Sequence, residues 1–86
     1  MSSEERIIKA LANRRRLMIV SLLKRRSSAS VGELAGVLKV TLPTASKHLA
    51  ILSSVDIVDY ERKSLQVYYH LSKDIPAIAS SILKHI

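Results

Sequence analysis

The chain has 86 residues, no cysteine and a net charge of +7, from 14 Lys and Arg against 7 Asp and Glu. That length admits one small domain with a barely sufficient core, and the missing cysteines exclude a disulfide framework, a thiolate metal site and a cysteine nucleophile. A pI near 10.2 favours a polyanionic partner, nucleic acid before membrane.

The N-terminus SSEERIIKAL is acidic and amphipathic where a secretory signal would be basic and then apolar, and the longest apolar run, Leu17 to Val20, is too short to span a bilayer. A cytoplasmic protein with no membrane association is expected. Ser2 or Ser3 caps a first helix over about residues 4–12, whose Glu4 and Glu5 suit the positive end of the helix dipole. Ile7, Ile8 and Leu11 form its narrow apolar stripe. Asn13 caps a second helix reaching about Arg26, apolar nearly all round at Leu17, Met18, Ile19, Val20, Leu22 and Leu23, which makes it the central one. Its first turn carries Arg14, Arg15 and Arg16, unfavourable against a helix N-terminus. These arginines are solvated, or contact phosphate, or, for Arg16, pair internally with Glu33 or Asp56.

After the linker Ser27-Ser28-Ala29, Ser30 to Glu33 has the form of a capping box opening a short third helix to about Leu38. Thr41 then caps a fourth helix, with Pro43 in its first turn where a missing N–H costs nothing. Joined through Lys39 and Val40, these two helices make a helix-turn-helix. The fourth reads TLPTASKHLAIL. Leu42, Ala45, Leu49 and Leu52 are spaced as a buried stripe, and Pro43, Thr44, Lys47 and Ala50 fall opposite it, with Ser46 and His48 on the flanks.

Beyond Ser53-Ser54 the period becomes alternating. Ile57 to Tyr60 and Gln66 to Leu71 predict a hairpin with a polar, basic tip at Glu61 to Leu65. Ser72 or Asp74 caps a last helix from about Ile75, with Pro76 in its first turn and Ile75, Ile78, Ala79, Ile82, Leu83 and Ile86 on one apolar face. The fold class is mainly α with a small β-hairpin, in the order α-α-α-α-β-β-α of a winged helix-turn-helix.

Such a plan suits duplex DNA, because a helix fills the major groove while a basic hairpin reaches phosphates or the minor groove. Pro43 and its small neighbours allow close approach. Thr44 and Ser46 offer hydroxyls to base edges or phosphates, and Lys47 reaches guanine acceptors or a phosphate. Arg62 and Lys63 clamp the backbone, with Gln66 as a further polar contact. His48 either touches phosphate or packs on the second helix. The three histidines lie on different elements without metal-ligand spacing, and no enzyme site or cofactor is expected.

The segments ALANRRRLMIVSLL, VGELAGVL, TLPTASKHLAIL and VYYHLS, in this order and spacing, resemble the ArsR/SmtB family of winged-helix transcriptional regulators over about Ile8 to Leu71. The resemblance implies a recognition helix at about Thr41 to Ser53, a wing at Glu61 to Gln66, and a homodimer formed by the first and last helices, about residues 4–12 and 75–86. Ile7, Ile8, Leu11, Ile75, Ile78, Ala79, Ile82, Leu83 and Ile86 would then form the interface. The family's cysteine pair on the third helix is replaced by Ser30 and Gly32, and Pro76 occupies a ligand place of its last-helix site, so no metal site is expected. Lys39 and Ser64 stand where the family usually has glycine, and each stores strain if a positive φ is still required. Leu42 and Pro43 replace polar groups, which leaves more of the base readout to thymine methyls or DNA shape. The chain thus reads as a sequence-specific regulator of transcription, with a sequence-indifferent architectural DNA binder and a protein-interaction winged helix as alternatives, and with any effector unknown.

Overall fold

The computed structural model describes residues 2–86. Helix α1 (Ser3–Leu11) starts at Ser2, whose hydroxyl accepts from the Glu5 N–H while Glu5 returns a bond to the Ser2 N–H. Helix α2 (Arg14–Arg25) is capped by Asn13, and α3 (Val31–Leu38) by the expected box of Ser30 and Glu33. Helix α4 (Leu42–Ser54) follows a short turn and is capped by Thr41. Strands β2 (Val58–Lys63) and β3 (Gln66–Leu71) form the hairpin, and α5 (Ala77–Leu83) closes the order.

Outside the hairpin, two elements depart from the sequence expectation. Ala29 and Ser30, read as linker and cap, form a short strand β1 (Ala29–Ser30) antiparallel to β3, giving the sheet order β1-β3-β2. Two residues carry no periodicity, and only the partner Tyr68-Tyr69 makes them a strand. Helix α5 begins at Ala77, with Pro76 at its N-cap and no side-chain cap, so neither Ser72 nor Asp74 caps it and Ile75 precedes it. Its other end is held instead by Lys24 of α2, whose Nζ donates to the carbonyls of Leu83 at 2.7 Å and Ile86 at 2.9 Å, a cation at the negative end of the dipole.

The core is aliphatic and centred on α2. Ile19, Val20 and Leu23 meet Leu34 and Leu38 of α3, Leu49 and Leu52 of α4, and Ile57 and Val58 at the start of the hairpin. Each fully buried Leu or Ile is worth about 1.5–3 kcal/mol in surface removed from water. Ile7, Ala10 and Leu11 of α1 join this core, as do Ala79 and Leu83 of α5. That corrects the interface expectation: Ile7, Leu11, Ala79 and Leu83 are buried within the protomer itself, because α1 and α5 lie against each other and on the core. Ile8 and Ile86 stay exposed, with Ile75, Ile78 and Ile82 half-buried.

Among the described residues, three non-glycine ones adopt left-handed backbone: Lys39 (φ 57°) between α3 and α4, Asp56 (φ 61°) between α4 and β2, and Ser64 (φ 59°) in the hairpin loop. At Lys39 and Ser64 the glycine-type conformation is therefore retained without glycine, at a cost of about 1–2 kcal/mol each for an L-residue. Asp56 is a residue type that tolerates the region better.

Candidate nucleic-acid interface

Helix α4 presents the expected face, with one exception. Ala45, Leu49 and Leu52 are completely buried, while Pro43, Ser46, Lys47 and Ala50 are exposed and Thr44 is half-exposed. Leu42, expected in the buried stripe, is 56% exposed. Its angle around the axis matches that of Leu49, but it stands at the first helical position, about 10 Å along the axis from Leu49, ahead of the part that rests on the core. An apolar side chain is thus left at the leading end of the helix.

The leading turn is well ordered by hydrogen bonds. Thr41 Oγ1 accepts from the Thr44 N–H at 3.3 Å and donates to Thr44 Oγ1 at 3.0 Å. The Thr44 hydroxyl therefore keeps its own proton for another acceptor. The turn feeding α4 is fixed by the left-handed Lys39, whose N–H bonds the Gly36 carbonyl, while the Val40 N–H reaches the Ala35 carbonyl.

His48 is packed toward α2: its Nδ1 lies 3.2 Å from Nη1 of Arg16. Packing on the second helix, one of the two readings for this histidine, is seen in that contact, and the residue remains only half-buried. Burial first, then the positive charges of Arg16, Arg15 and Lys47, lower its pKa from the ordinary 6.5. Arg16 itself pairs with neither Glu33 nor Asp56. Its Nε donates to the Ala10 carbonyl at the end of α1, and Glu33 is taken by Arg26 at 2.8 Å. The third arginine of the first turn of α2 thus makes up for the unfavourable dipole by bonding two other helices.

The hairpin strands run further than the alternation suggested. Glu61, Arg62 and Lys63 belong to β2, and the loop is only Ser64 and Leu65, with Lys63 facing Gln66 across the ladder. Adjacent strand residues point to opposite faces, so Lys63 and Gln66 share one face with Glu61, and Arg62 shares the other with Tyr60, Val67 and Tyr69. The Tyr60 and Tyr69 rings pack with centroids 5.4 Å apart on that second face, a cross-strand aromatic pair that stiffens the wing. Arg62, Lys63 and Gln66 are all exposed, and Lys63 has only a loose 4.0 Å contact with Glu61. Both cations are available to an external anion, one from each face of the wing. Among the described residues, no group of three or more His, Asp or Glu side chains could hold a metal ion, and no helix is long and apolar enough to cross a membrane.

The comparisons with known proteins agree with this geometry. A family model described as "Helix-turn-helix domain" matches residues 11–61. The chain is 38% identical over 68 residues to a biofilm growth-associated repressor of Agrobacterium fabrum, covering 79% of this chain and 57% of that protein. It is 35% identical over 77 residues to the arsenical resistance operon repressor of Escherichia coli, covering 90% of this chain and 66% of the relative. The chain therefore spans somewhat less than two thirds of either relative's length. Among solved structures, reduced HlyU from Vibrio cholerae superposes with a TM-score of 0.82 at 30% identity, over 96% of this chain and 83% of that one. A homodimeric winged helix-turn-helix DNA-binding domain from Mycobacterium bovis, described as a possible ArsR-family transcriptional regulator, does so with a TM-score of 0.80 at 30% identity, over 96% and 73%. With the three-stranded sheet closing the wing behind a matched helix-turn-helix, the chain belongs to the helix-turn-helix family, as a winged member of ArsR/SmtB type.

Proposed function

We propose that this chain is a cytoplasmic, sequence-specific DNA-binding regulator of transcription that acts as a homodimer and represses by occupying an inverted-repeat operator. The observation that carries the reading is the division of α4, anchored by Ala45, Leu49 and Leu52 while Pro43, Thr44, Ser46 and Lys47 stay in or near solvent. A solvated helix of no function would carry Glu and Lys on its outer face; this one carries small and hydrogen-bonding groups that let the backbone approach a groove wall. Lys47 bonds guanine acceptors or phosphate, the Thr44 and Ser46 hydroxyls bond base edges or phosphate, and the exposed Leu42 adds apolar surface for thymine methyls. Arg62, Lys63 and Gln66 hold the flanking backbone.

Two copies supply two reading helices for half-sites about one helical turn apart. The exposed Ile8 and Ile86 and the half-buried Ile75, Ile78 and Ile82 are the residues of α1, α5 and their flanks left for the partner. The names of the relatives, repressors among them, and the homodimeric state of the Mycobacterium bovis domain support the assignment.

Selection of bound duplexes from a random pool, followed by competition against unrelated DNA, tests it. A regulator yields a palindromic motif and prefers it by about 1,000-fold or more; an architectural binder yields no motif, and an interaction module retains no duplex. On the selected site, Lys47→Ala should weaken binding by about 1–3 kcal/mol with an unchanged melting temperature. Unchanged affinity would remove Lys47 from the interface.

A further inference from the structure

Arg16 occupies a junction of three helices. It starts on α2, its Nε donates to the Ala10 carbonyl in the last turn of α1, and its Nη1 lies 3.2 Å from Nδ1 of His48 on α4. A guanidinium can only donate. His48 Nδ1 must therefore accept, and the proton of the neutral ring sits on Nε2. Among the described residues Nε2 has no partner within the chain, and no side-chain nitrogen or oxygen is buried without one. The Nε2–H is accordingly reached by solvent. Along α4, His48 is one turn on from Thr44, so it stands on the flank of the exposed face beside that residue.

We propose that Arg16 is a positioning residue for duplex binding: it holds His48 as a neutral donor whose Nε2–H bonds a phosphate oxygen of the DNA backbone. The inference rests on the DNA-binding reading above and deepens it by assigning the protonation and orientation of one contact. The surroundings agree with a neutral ring. Arg15 and Arg16 face it from α2 and Lys47 from α4, Arg6 and Lys9 of α1 line the cleft beside Arg16, and no carboxylate is bonded to it. A charged imidazole would lose the Arg16 bond and repel the guanidinium, whereas the neutral ring accepts from one side and donates on the other. Because Ala10 belongs to α1, the same guanidinium also ties the helix that carries Ile8 to the helix that reads DNA.

Ring nitrogen spectra of the free protein at neutral pH should show His48 with bare Nδ1 and protonated Nε2, and Arg16→Met should convert this to a mixture of tautomers. Against a duplex that the wild type selects from a random pool, His48→Ala and Arg16→Met should each weaken binding about tenfold, the worth of one hydrogen bond to a charged group. Combining them should cost little more than either alone, as expected for two residues acting through one contact. His48→Gln, whose amide nitrogen can reach the place of Nε2, should recover part of the loss and be insensitive to Arg16→Met. A proton on Nδ1 overturns the proposal, and so does a loss from Arg16→Met as large in the His48→Ala background as in the wild type. Should Arg16→Met fail to fold, the wild-type ring spectrum still decides the tautomer, and a proton found on Nδ1 still overturns the proposal. A pool that yields no bound duplex defeats the DNA-binding reading and the phosphate contact with it, while the spectrum separately decides the Arg16–His48 bond.

Discussion

Two regions of this small chain leave side chains in solvent for opposite reasons. On α4 and the wing the exposed hydroxyls, cations and small groups, which a polyanion can use, stand beside three separate apolar side chains, Leu42, Tyr60 and Leu65. On α1, α2, α3 and the chain end, Ile8, Met18, Val37 and Ile86 are each 41–47% exposed. An open groove of ≈ 680 Å³ runs over Leu17, Met18, Leu22, Val37 and Ile86, and Ala12, Leu17 and Ile86 continue it into a second groove against Ile8 and Ile82. Polar exposure is satisfied without a partner, whereas contiguous apolar exposure asks for cover. The first region is thus built to meet an anion when one arrives, and the second to be shielded.

What the two regions share is the core beneath them, and the largest effect comes from breaking it. Leu49 is fully buried under α4, and Leu49→Ala should cost about 3 kcal/mol of stability, read from the midpoint of a denaturant titration. Duplex binding and self-association should then fail together.

The next variant separates the regions, and adjacent residues provide the control. Ile8 is 47% exposed and Ile7 only 7%. Ile8→Asp should leave a folded protomer that light scattering finds as a single chain, with duplex affinity reduced on the order of 100-fold as the half-sites uncouple. Ile7→Asp buries an unpaired charge and should unfold the chain. A folded Ile8→Asp variant that still sediments as a dimer would move the interface away from α1.

The same pair of neighbours shows what was legible in the sequence. Helical periodicity located α1 and its apolar stripe, because it reads angle around an axis. It could not divide the stripe between the protomer's own core and the surface, since that depends on how α5 lies across α1. Leu42 is the same failure along the axis: the angle was right, and the core did not extend far enough to cover it. Capping chemistry was more legible, with Ser2, Asn13, Ser30 and Thr41 all found at their helix starts, because a cap is a local bond between residues three apart. The Arg16–His48 bond spans 32 positions, and only the packing of α2 on α4 reveals it. The flank position of His48 left contact with α2 open, but nothing in the sequence named its partner.

Backbone strain gives a smaller effect on both sides of the helix-turn-helix and wing. Lys39→Gly and Ser64→Gly each remove an L-residue from left-handed backbone, and after the added flexibility of the unfolded chain each should gain about 0.5–1 kcal/mol. Chemical denaturation measures this, and an equal loss would mean that the glycine is free to leave the turn. Neither change touches the apolar region, so the mass of the particle should not alter.

The smallest effect is electrostatic and belongs to two titratable groups, Glu33 and His48. Glu33 is held below the ordinary carboxylate value of 4.5, first by the Ser30 backbone N–H and then by Arg26, while His48 lies below 6.5 through burial and the neighbouring cations. In both cases the unfolded chain takes up the proton first, so stability rises with pH across each window. The His48 contribution is complete above 6.5 and declines as pH falls through the folded-state value. The Glu33 contribution is complete above 4.5 and is lost at still lower pH. Melting temperatures measured from pH 7.5 downward should therefore fall in two shallow steps. His48→Gln should flatten the upper step alone and Glu33→Gln the lower one. If the upper step survives in His48→Gln, the titrating group in that window is another histidine, and the Arg16–His48 bond is not what the proton breaks.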